Sequence, residues 1–303
     1  MNMANNFMAG YLVNRLLASV ALLCLFFASF PASAAETIEA KLPNGITATA
    51  SFHKGVTSLP AVLVLHGFLQ THHSQPMNSL AGNLASKGYT VLSPTSSLGV
   101  NRRIQSMACE SAHTHTVEQE ISEISYWVNW LSSKGYKNIV PIGFSSTGNF
   151  EILQYNLQGS HPAIKHTILT SLNPIYIDAA ERQKTRAATD SKQISNSTKL
   201  GKYSLGYCKK NYIATTNSYL SYAHYDSNRI LELIRKTQVP TEIILGTADT
   251  ILPANWSSQI KAANPRTRIS YIKNANHFFD DTSEFELAEE IEAILKNLAT
   301  PPS

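Results

Sequence analysis

Charged residues are scarce in this chain of 303 residues, and so are cysteines. Only 15% of the residues are charged, with 25 Lys and Arg against 21 Asp and Glu. Proteins that bind nucleic acid concentrate Lys and Arg in runs or along one face. No such basic run is present, so the sequence argues against nucleic acid as a partner.

One predominantly apolar stretch, residues 16–30, is too short to cross a membrane. It follows Arg15 and precedes Ala32-Ser33-Ala34, whereas a membrane-spanning helix needs about 20 apolar residues. A positive charge, a short apolar core and an A-x-A site are typical of a secretory signal peptide. We therefore expect residues 1–34 to be removed after Ala34. The remaining chain, residues 35–303, would then be secreted or periplasmic and have no stable membrane anchor.

The three cysteines reduce to two once Cys24 is removed with the signal peptide. In an oxidising compartment, the remaining Cys109 and Cys208 favour one disulfide. Two unpaired thiols are the alternative, because the sequence contains no information on the distance between them.

Several histidines lie close together in the sequence, namely His72, His73, His113 and His115. They lack the i, i+4 spacing of H-E-x-x-H, and no paired cysteines accompany them. We interpret them as solvated or hydrogen-bonded loop histidines, and we predict neither a metal site nor a cofactor.

Short strand-like runs alternate with helical patterns from about residue 45 onward. The predicted strands are 46–52, 61–65, 90–92, 138–142, 166–172, 242–245 and 268–272. Helices are predicted over 117–133 and 283–298, where apolar residues recur at spacings of three and four. The continuous apolar run 61–65 is typical of a strand buried on both faces. The alternation predicts an α/β domain with a mostly parallel central sheet flanked by helices.

Two long segments, 93–116 and 175–225, interrupt this alternation. The second is rich in Lys, Ser, Thr and Asn and holds seven of the 13 tyrosines. Long loops within compact domains are often lids or binding loops, so we expect residues 175–225 to form a small cap insertion. Its tyrosines either line a substrate pocket or pack the cap onto the core, since tyrosine combines apolar area with a polar tip.

Three short motifs carry the candidate chemistry, and each lies at or directly after the end of a predicted strand. The first is His66-Gly67-Phe68, the second is Gly143-Phe144-Ser145-Ser146, and the third pairs Asp249 with His277. The order Ser, Asp, His and the strand–Ser–helix arrangement resemble the α/β-hydrolase superfamily over nearly all of residues 45–298. The resemblance implies the α/β-hydrolase fold and an exported serine hydrolase similar to esterases and lipases.

The resemblance also implies a role for each residue. A serine hydroxyl becomes a good nucleophile when a neighbouring imidazole accepts its proton, and a carboxylate orients that imidazole. Ser145, His277 and Asp249 match these positions. The backbone N–H groups of Phe68 and Ser146 would form the oxyanion hole, with His66 supporting the Phe68 loop.

The nucleophile could in principle be either of two adjacent serines, because neither fits G-x-S-x-G. Ser145 has a glycine two residues before it and Thr147 two residues after it. Ser146 has Phe144 before it and a glycine after it. The turn at the nucleophile is tight, so these positions must be small. Phenylalanine violates this requirement more than threonine does, and we therefore predict that Ser145 attacks.

Structural roles for these residues remain open at the level of sequence. Ser145 and Ser146 could belong to a turn that caps a helix, and Asp249 could be an N-cap, since Ser and Asp favour such positions. His277 could be a hydrogen-bonded structural histidine. Asp178 is the alternative acid, because some relatives place the acid one strand earlier.

The predicted function is hydrolysis of a small-molecule carboxylic ester through an acyl-enzyme. Amidases, thioesterases and peptidases use the same three residues, and a non-catalytic binding protein can share the fold. Cys109 and Cys208 fall in the two long segments, which we expect at the carboxyl ends of the strands. A bridge between them would then tie the cap to the rim of the pocket.

Overall fold

The computed structural model describes residues 35–190 and 198–299. The predicted signal peptide, residues 1–34, lies outside these ranges, so its export role stays a prediction. Within the described ranges, no helix is both long and apolar enough to span a membrane.

The described residues form ten strands and eight helices. The strands are β1 (Glu36–Lys41), β2 (Thr47–His53), β3 (Ala61–Leu65), β4 (Thr90–Thr95), β5 (Ile139–Phe144), β6 (Thr167–Thr170), β7 (Leu200–Leu205), β8 (Cys208–Thr215), β9 (Thr241–Gly246) and β10 (Arg268–Ile272). The helices are α1 (Met77–Ser86), α2 (Val117–Ser133), α3 (Thr147–Gly159), α4 (Ala179–Asp190), α5 (Thr216–Ala223), α6 (Ser227–Lys236), α7 (Trp256–Ala263) and α8 (Ser283–Ala299).

Eight strands form one sheet in the order β1-β2-β4-β3-β5-β6-β9-β10. The β1–β2 and β2–β4 pairs are antiparallel, and every pair from β4 to β10 is parallel. The carboxyl ends of the parallel strands therefore meet at one edge, where α/β proteins bind their ligands. The predicted mostly parallel α/β architecture is confirmed.

Helices cover both faces of the sheet, and strand β3 shows why. All five of its residues are buried. Leu63 and Leu65 belong to a core shared with α2, α3 and α6, whereas Val62 and Val64 belong to a core shared with α1 and α8. Successive side chains of a strand point to opposite faces, so only a run without polar residues can serve two cores.

The segment between β6 and β9 contains more regular structure than the sequence indicated. It forms helix α4, the antiparallel hairpin β7–β8 and helices α5 and α6. Five of its seven tyrosines are buried, namely Tyr203, Tyr212, Tyr219, Tyr222 and Tyr225. Tyr176 and Tyr207 are exposed at the rim of a cavity. Five tyrosines therefore pack in the core, and two line the cavity.

The long loop between β4 and α2 pairs with the hairpin. Ile213 N–H donates to Cys109 O at 3.0 Å, and His113 N–H donates to Ile213 O at 2.9 Å. Cys109 and Cys208 form a disulfide with their Cα atoms 5.6 Å apart, which is within the usual range. The structure thus contains the bridge between the two long segments that the sequence predicted.

Candidate active site

Ser145 occupies the tight turn between strand β5 and helix α3. Its φ is +60°, a left-handed conformation that is uncommon for a residue other than glycine. Its N–H donates to Thr170 O on β6 at 3.0 Å. The buried Asn149 amide donates to Ser145 O and, at 2.8 Å, to Thr170 O. Neighbouring elements thus hold the serine in a strained backbone conformation.

Two glycines make this turn sterically possible. A Cβ atom on Gly143 would lie 2.5 Å from Gly148 O, and one on Gly148 would lie 2.7 Å from His66 O. The need for glycine at position 143, two residues before Ser145, agrees with the choice of Ser145 as the residue at the turn. The second glycine is required three residues after Ser145, where the helix meets the end of β3. Thr147, two residues after Ser145, is accommodated as the first residue of α3.

Ser145, His277 and Asp249 form one chain of hydrogen bonds at the carboxyl edge of the sheet. Ser145 Oγ lies 2.8 Å from His277 Nε2, and His277 Nδ1 lies 2.7 Å from Asp249 Oδ2. The Asp249 side chain is buried. The alternative acid, Asp178, instead accepts a hydrogen bond from Glu181 N–H at the start of α4.

The two predicted oxyanion residues, Phe68 and Ser146, line the same cavity as Ser145. In the described part of the chain, neither of their N–H groups donates a hydrogen bond to another protein group. Buried N–H groups are nearly always paired in folded proteins. Two amides without an acceptor beside Ser145 are therefore suited to bind an oxygen of a ligand.

Solved structures with the same architecture include several hydrolases. Est1E from Butyrivibrio proteoclasticus is 16% identical with a TM-score of 0.62, over 88% of this chain and 100% of that one. A thioesterase domain from the curacin biosynthetic pathway is 15% identical with a TM-score of 0.60, over 88% and 100%. A bromoperoxidase from Bacillus anthracis is 16% identical with a TM-score of 0.58, over 86% and 100%. The chain has the α/β-hydrolase fold.

Sequence comparisons add nothing further at this level of divergence. No protein-family model and no curated protein matches the chain. The structural likeness establishes the hydrolase fold, and the chemistry has to be argued from the site itself.

Arg103 holds the loop that carries Phe68, although no sequence motif marks this residue. Its side chain is buried and donates to the backbone oxygens of Gln70 at 2.7 Å, Ser96 at 2.7 Å and Gln105 at 2.9 Å. Burial is the main reason that the pKa of Arg103 falls to about 10, so it remains charged at neutral pH. A guanidinium group has donors in a fixed planar arrangement, which suits it to join separate loop segments.

His66 also supports the loop that carries Phe68, as expected from the sequence. Its Nδ1 lies 2.9 Å from Gly67 O, and its Nε2 accepts a hydrogen bond from Ser96 N–H at 3.0 Å. Burial, together with the charge of Arg103, lowers the pKa of His66 to about 3. The imidazole is therefore neutral at physiological pH, and one nitrogen donates while the other accepts.

Asn173 is another residue near Ser145 that the sequence analysis did not identify. It follows strand β6, lines the cavity, and its Oδ1 lies 3.3 Å from Ser145 Oγ. Its Nδ2 donates to Pro174 O at 3.1 Å, which orients the amide. The hydroxyl of Ser145 thus has both an imidazole and an amide oxygen within hydrogen-bond distance.

Two of the clustered histidines, His72 and His113, contact other protein groups. His72 Nδ1 lies 2.6 Å from Thr95 Oγ1, and the ring of His113 stacks on Tyr212 with centroids 4.4 Å apart. Residues 35–190 and 198–299 contain no group of three or more His, Cys, Asp or Glu side chains arranged to hold a metal ion.

Ser145 opens into a cavity of about 820 Å³, large enough for a drug-sized molecule. Its walls come from the Phe68 loop, the segment after β6, the β7–β8 turn and the loops after β9 and β10. Lys and Arg are absent from the described residues that line it. Asp226 carries the one carboxylate among the described lining residues, and it is paired with Arg182 at 2.7 Å. The cavity therefore favours a neutral ligand.

Proposed function

We propose that this protein is a serine hydrolase that cleaves carboxylic esters. The observation that carries the proposal is the hydrogen-bonded chain from Ser145 through His277 to Asp249, beside two N–H groups without an acceptor. These are the parts required for acyl transfer through a serine nucleophile: a nucleophile, its base, an orienting carboxylate and donors for the oxyanion.

Acylation begins when Ser145 Oγ attacks the ester carbonyl carbon and His277 Nε2 takes the hydroxyl proton. Asp249 accepts the Nδ1–H hydrogen bond, which keeps Nε2 free as the base and stabilises the imidazolium that forms. The negative charge moves to the carbonyl oxygen, where the Phe68 and Ser146 N–H groups receive it. The tetrahedral intermediate then collapses, the C–O bond to the alcohol breaks, and His277 returns the proton to the leaving alkoxide.

Deacylation repeats these steps with water as the nucleophile. His277 takes a proton from water, the hydroxide attacks the acyl carbon, and the oxyanion again lies against the two amides. Collapse of the second intermediate breaks the bond to Ser145 Oγ, and His277 gives that oxygen its proton. The products are a carboxylic acid and an alcohol, and the enzyme is restored.

A neutral ester fits the cavity better than a charged substrate. No Lys or Arg lines the described walls, and Asp226 is already paired, so an anionic group would lose hydration without gaining a partner. The structural likeness to a thioesterase domain is consistent with acyl transfer on this fold. The fold alone does not distinguish oxygen esters from thioesters or amides.

We also propose that the protein works outside the cytoplasm. The Cys109–Cys208 disulfide supports this location, because such bonds persist mainly in oxidising compartments. The signal-peptide pattern of residues 1–34 agrees with it. Mass determination of the protein recovered from the periplasm or medium tests the cleavage after Ala34.

The test of the catalytic assignment compares two serine variants. We expect wild-type protein to hydrolyse p-nitrophenyl acetate and butyrate, and to be labelled by a fluorophosphonate probe. Ser145→Ala should lower kcat/KM by about 10³-fold or more, because the nucleophile is lost. Ser146→Ala keeps its backbone N–H and should lose less than about tenfold.

Three results would contradict the proposal in different ways. Activity that survives Ser145→Ala but not Ser146→Ala would move the nucleophile to the other serine. Absence of both turnover and probe labelling would favour a non-catalytic binding protein. Inhibition by a chelator without labelling by the probe would indicate a metal hydrolase.

A further inference from the structure

Exposed aromatic side chains surround the mouth of the candidate active site. We define the aromatic rim as Tyr176, Tyr207 and Phe278, which are 55%, 62% and 42% exposed and all line the cavity. They come from three separate loops: after β6, between β7 and β8, and after β10. Large apolar side chains that are exposed together commonly mark a binding surface, whereas single ones need no explanation.

The two tyrosines of the rim are attached to a paired backbone. Ile177 and Leu205 form an antiparallel bridge, and Gly206 N–H donates to Tyr176 O at 2.9 Å. Cys208, directly after Tyr207, is covalently bound to the loop before α2. Because the backbone on this side is already organised, little backbone ordering has to accompany ligand binding.

The Tyr207 ring also contacts the loop that carries a candidate oxyanion donor. Its centroid lies 5.6 Å from that of Phe68 in an edge-to-face arrangement. Gly206 permits this approach, since a Cβ atom there would lie 2.9 Å from the Phe68 ring. One side of the rim is therefore continuous with the oxyanion loop.

Phe278 is the member of the rim that lies next to the candidate base, His277. Its ring centroid lies 5.2 Å from that of His277 and 6.0 Å from that of Phe144. Its N–H donates to Asn276 Oδ1 at 3.0 Å, which fixes the loop. Two residues near Ser145 therefore contact the rim. The Phe68 ring contacts Tyr207, and the His277 ring contacts Phe278.

We propose that the aromatic rim binds a neutral aromatic ring of the substrate, so that the protein prefers esters that carry a phenyl-type group a few bonds from the carbonyl. This inference rests on the proposed ester hydrolysis. Offset or edge-to-face aromatic pairs gain interaction energy beyond that of the area that they bury. A ring that contacts the rim gains this energy, whereas a saturated group of the same size gains only the burial of area.

The decisive substrates are ethyl 3-phenylpropanoate and ethyl 3-cyclohexylpropanoate. Their carbonyl groups have the same immediate surroundings, so their chemical reactivity is matched, and they differ only in the aromaticity of the distant ring. We expect kcat/KM to be about three- to tenfold higher for the phenyl ester. A merely apolar mouth would favour the cyclohexyl ester, which is at least as hydrophobic.

Variants of the rim then show which side chains cause the preference for the phenyl ester. Tyr207→Leu and Phe278→Leu should each move the phenyl-to-cyclohexyl ratio of kcat/KM toward one, because each keeps an apolar side chain while removing a ring. Tyr271→Leu is the matched control: Tyr271 is 52% exposed on β10 and does not line the cavity. It should leave the ratio unchanged.

An equal or lower kcat/KM for the phenyl ester in the wild type would overturn the inference, whatever the variants do. So would a ratio that survives both rim substitutions or that falls equally in Tyr271→Leu. Hydrolysis of p-nitrophenyl acetate shows that the proposed function stands when only the ring preference fails. Absence of all ester hydrolysis and of probe labelling would instead refute the proposed function, and the ring preference with it.

Discussion

At the scale of single residues, the backbone of Ser145 is the most constrained feature of the site. A non-glycine residue at φ +60° is strained, and it persists because surrounding groups hold it. Thr170 O accepts the Ser145 N–H, and the Asn149 amide holds the carbonyl oxygens of Ser145 and Thr170. The side chain is thereby presented toward His277 before any substrate is bound.

Gly148 is the residue whose replacement should disturb this turn most directly. Its added Cβ would lie 2.7 Å from His66 O and 2.9 Å from Leu65 O, and backbone atoms at the end of a central strand cannot move easily. We expect Gly148→Ala to lower the free energy of unfolding by about 1–3 kcal/mol and also to lower kcat, because the same movement shifts the Phe68 loop. Urea denaturation and p-nitrophenyl ester turnover measure the two effects.

Gly82→Ala is the matched control for that substitution. Gly82 lies in the interior of α1, is exposed, and has no atom within 4 Å of an added Cβ. Alanine there should raise the free energy of unfolding by about 0.5–1 kcal/mol, since glycine is costly within a helix. If both variants changed stability in the same direction, the steric argument for Gly148 would be wrong.

At the scale of elements, the β7–β8 hairpin depends on the loop before α2. Thr215 N–H donates to His113 O at 2.9 Å, and the Cys109–Cys208 disulfide connects the same two segments. The turn of the hairpin places Gly206 and Tyr207 against the Phe68 ring. The covalent link therefore acts on the wall of the cavity as well as on stability.

Removing the disulfide should lower both the stability of the protein and its activity. We expect the double variant Cys109→Ala, Cys208→Ala to lose about 2–5 kcal/mol of unfolding free energy, and to lose part of its kcat/KM because the Phe68 loop is less well held. Thermal unfolding with and without dithiothreitol is the measurement: the reductant should lower the Tm of the wild type and leave that of the variant unchanged. Two free thiols in a non-reduced digest of the wild type would contradict the bridge.

At the scale of the whole molecule, a buried polar cluster joins the helices behind the site. Glu120 on α2 contacts the Tyr222 hydroxyl on α5, and the Tyr222 ring packs 5.6 Å from that of Phe68. Burial raises the pKa of Glu120 and of Glu151 on α3. The charges of Glu120 and Glu123 raise the pKa of Glu151 further, whereas hydrogen bonds with Tyr222 and Glu151 partly offset the shift of Glu120. Arg103 is the cation that opposes this repulsion.

Protonation of Glu151 makes the free energy of unfolding depend on pH, and the direction of this dependence follows from its pKa. The pKa of Glu151 is raised in the folded state above the ordinary 4.5, so its contribution to stability is present below pH 4.5 and is lost as pH rises through the folded pKa. Glu151→Gln imitates the protonated form. We expect it to be more stable than the wild type at pH 8, by roughly 1–3 kcal/mol, and to approach the wild type at pH 4.5.

Urea denaturation of both proteins at several pH values measures this difference. The histidines whose pKa values burial lowers, such as His66 and His115 at about 3, destabilise both proteins as pH falls and cancel in the comparison. A difference that is constant with pH would show that Glu151 does not change its protonation on folding.

Much of the fold and the placement of the site could be predicted from local patterns. The helix predicted over 117–133 is α2 within the same bounds, and the predicted strands 61–65 and 268–272 are β3 and β10. A motif at the carboxyl end of a parallel strand has to face the same edge as its neighbours. That rule, together with the resemblance to the α/β-hydrolase superfamily, placed Ser145, Asp249 and His277 near one another.

Strand β1 was not predicted, although Ile38 and Ala40 alternate with Glu39 and Lys41. The hairpin β7–β8 was not predicted because its sequence lacks clear alternation. The hairpin contains several Lys and Tyr residues, and its stability depends on partners elsewhere in the chain. Arg103, Asn149 and Asn173 were missed for a related reason. Each is a single polar residue without a motif, and its role follows only from the carbonyl or hydroxyl groups that folding brings to it.

Sequence by itself determined the alternation of strands and helices, the order of the candidate nucleophile, acid and base, and the preference for Ser145 over its neighbour. The alternation and the preference for Ser145 follow from short-range rules of periodicity and steric size. The order of the three residues follows from the resemblance to the α/β-hydrolase superfamily. Tertiary structure alone decided which amides lack an acceptor, which tyrosines are buried and which form the aromatic rim. Those properties depend on distances between residues far apart in the chain, and such distances exist only once the sheet and its insertion have packed together.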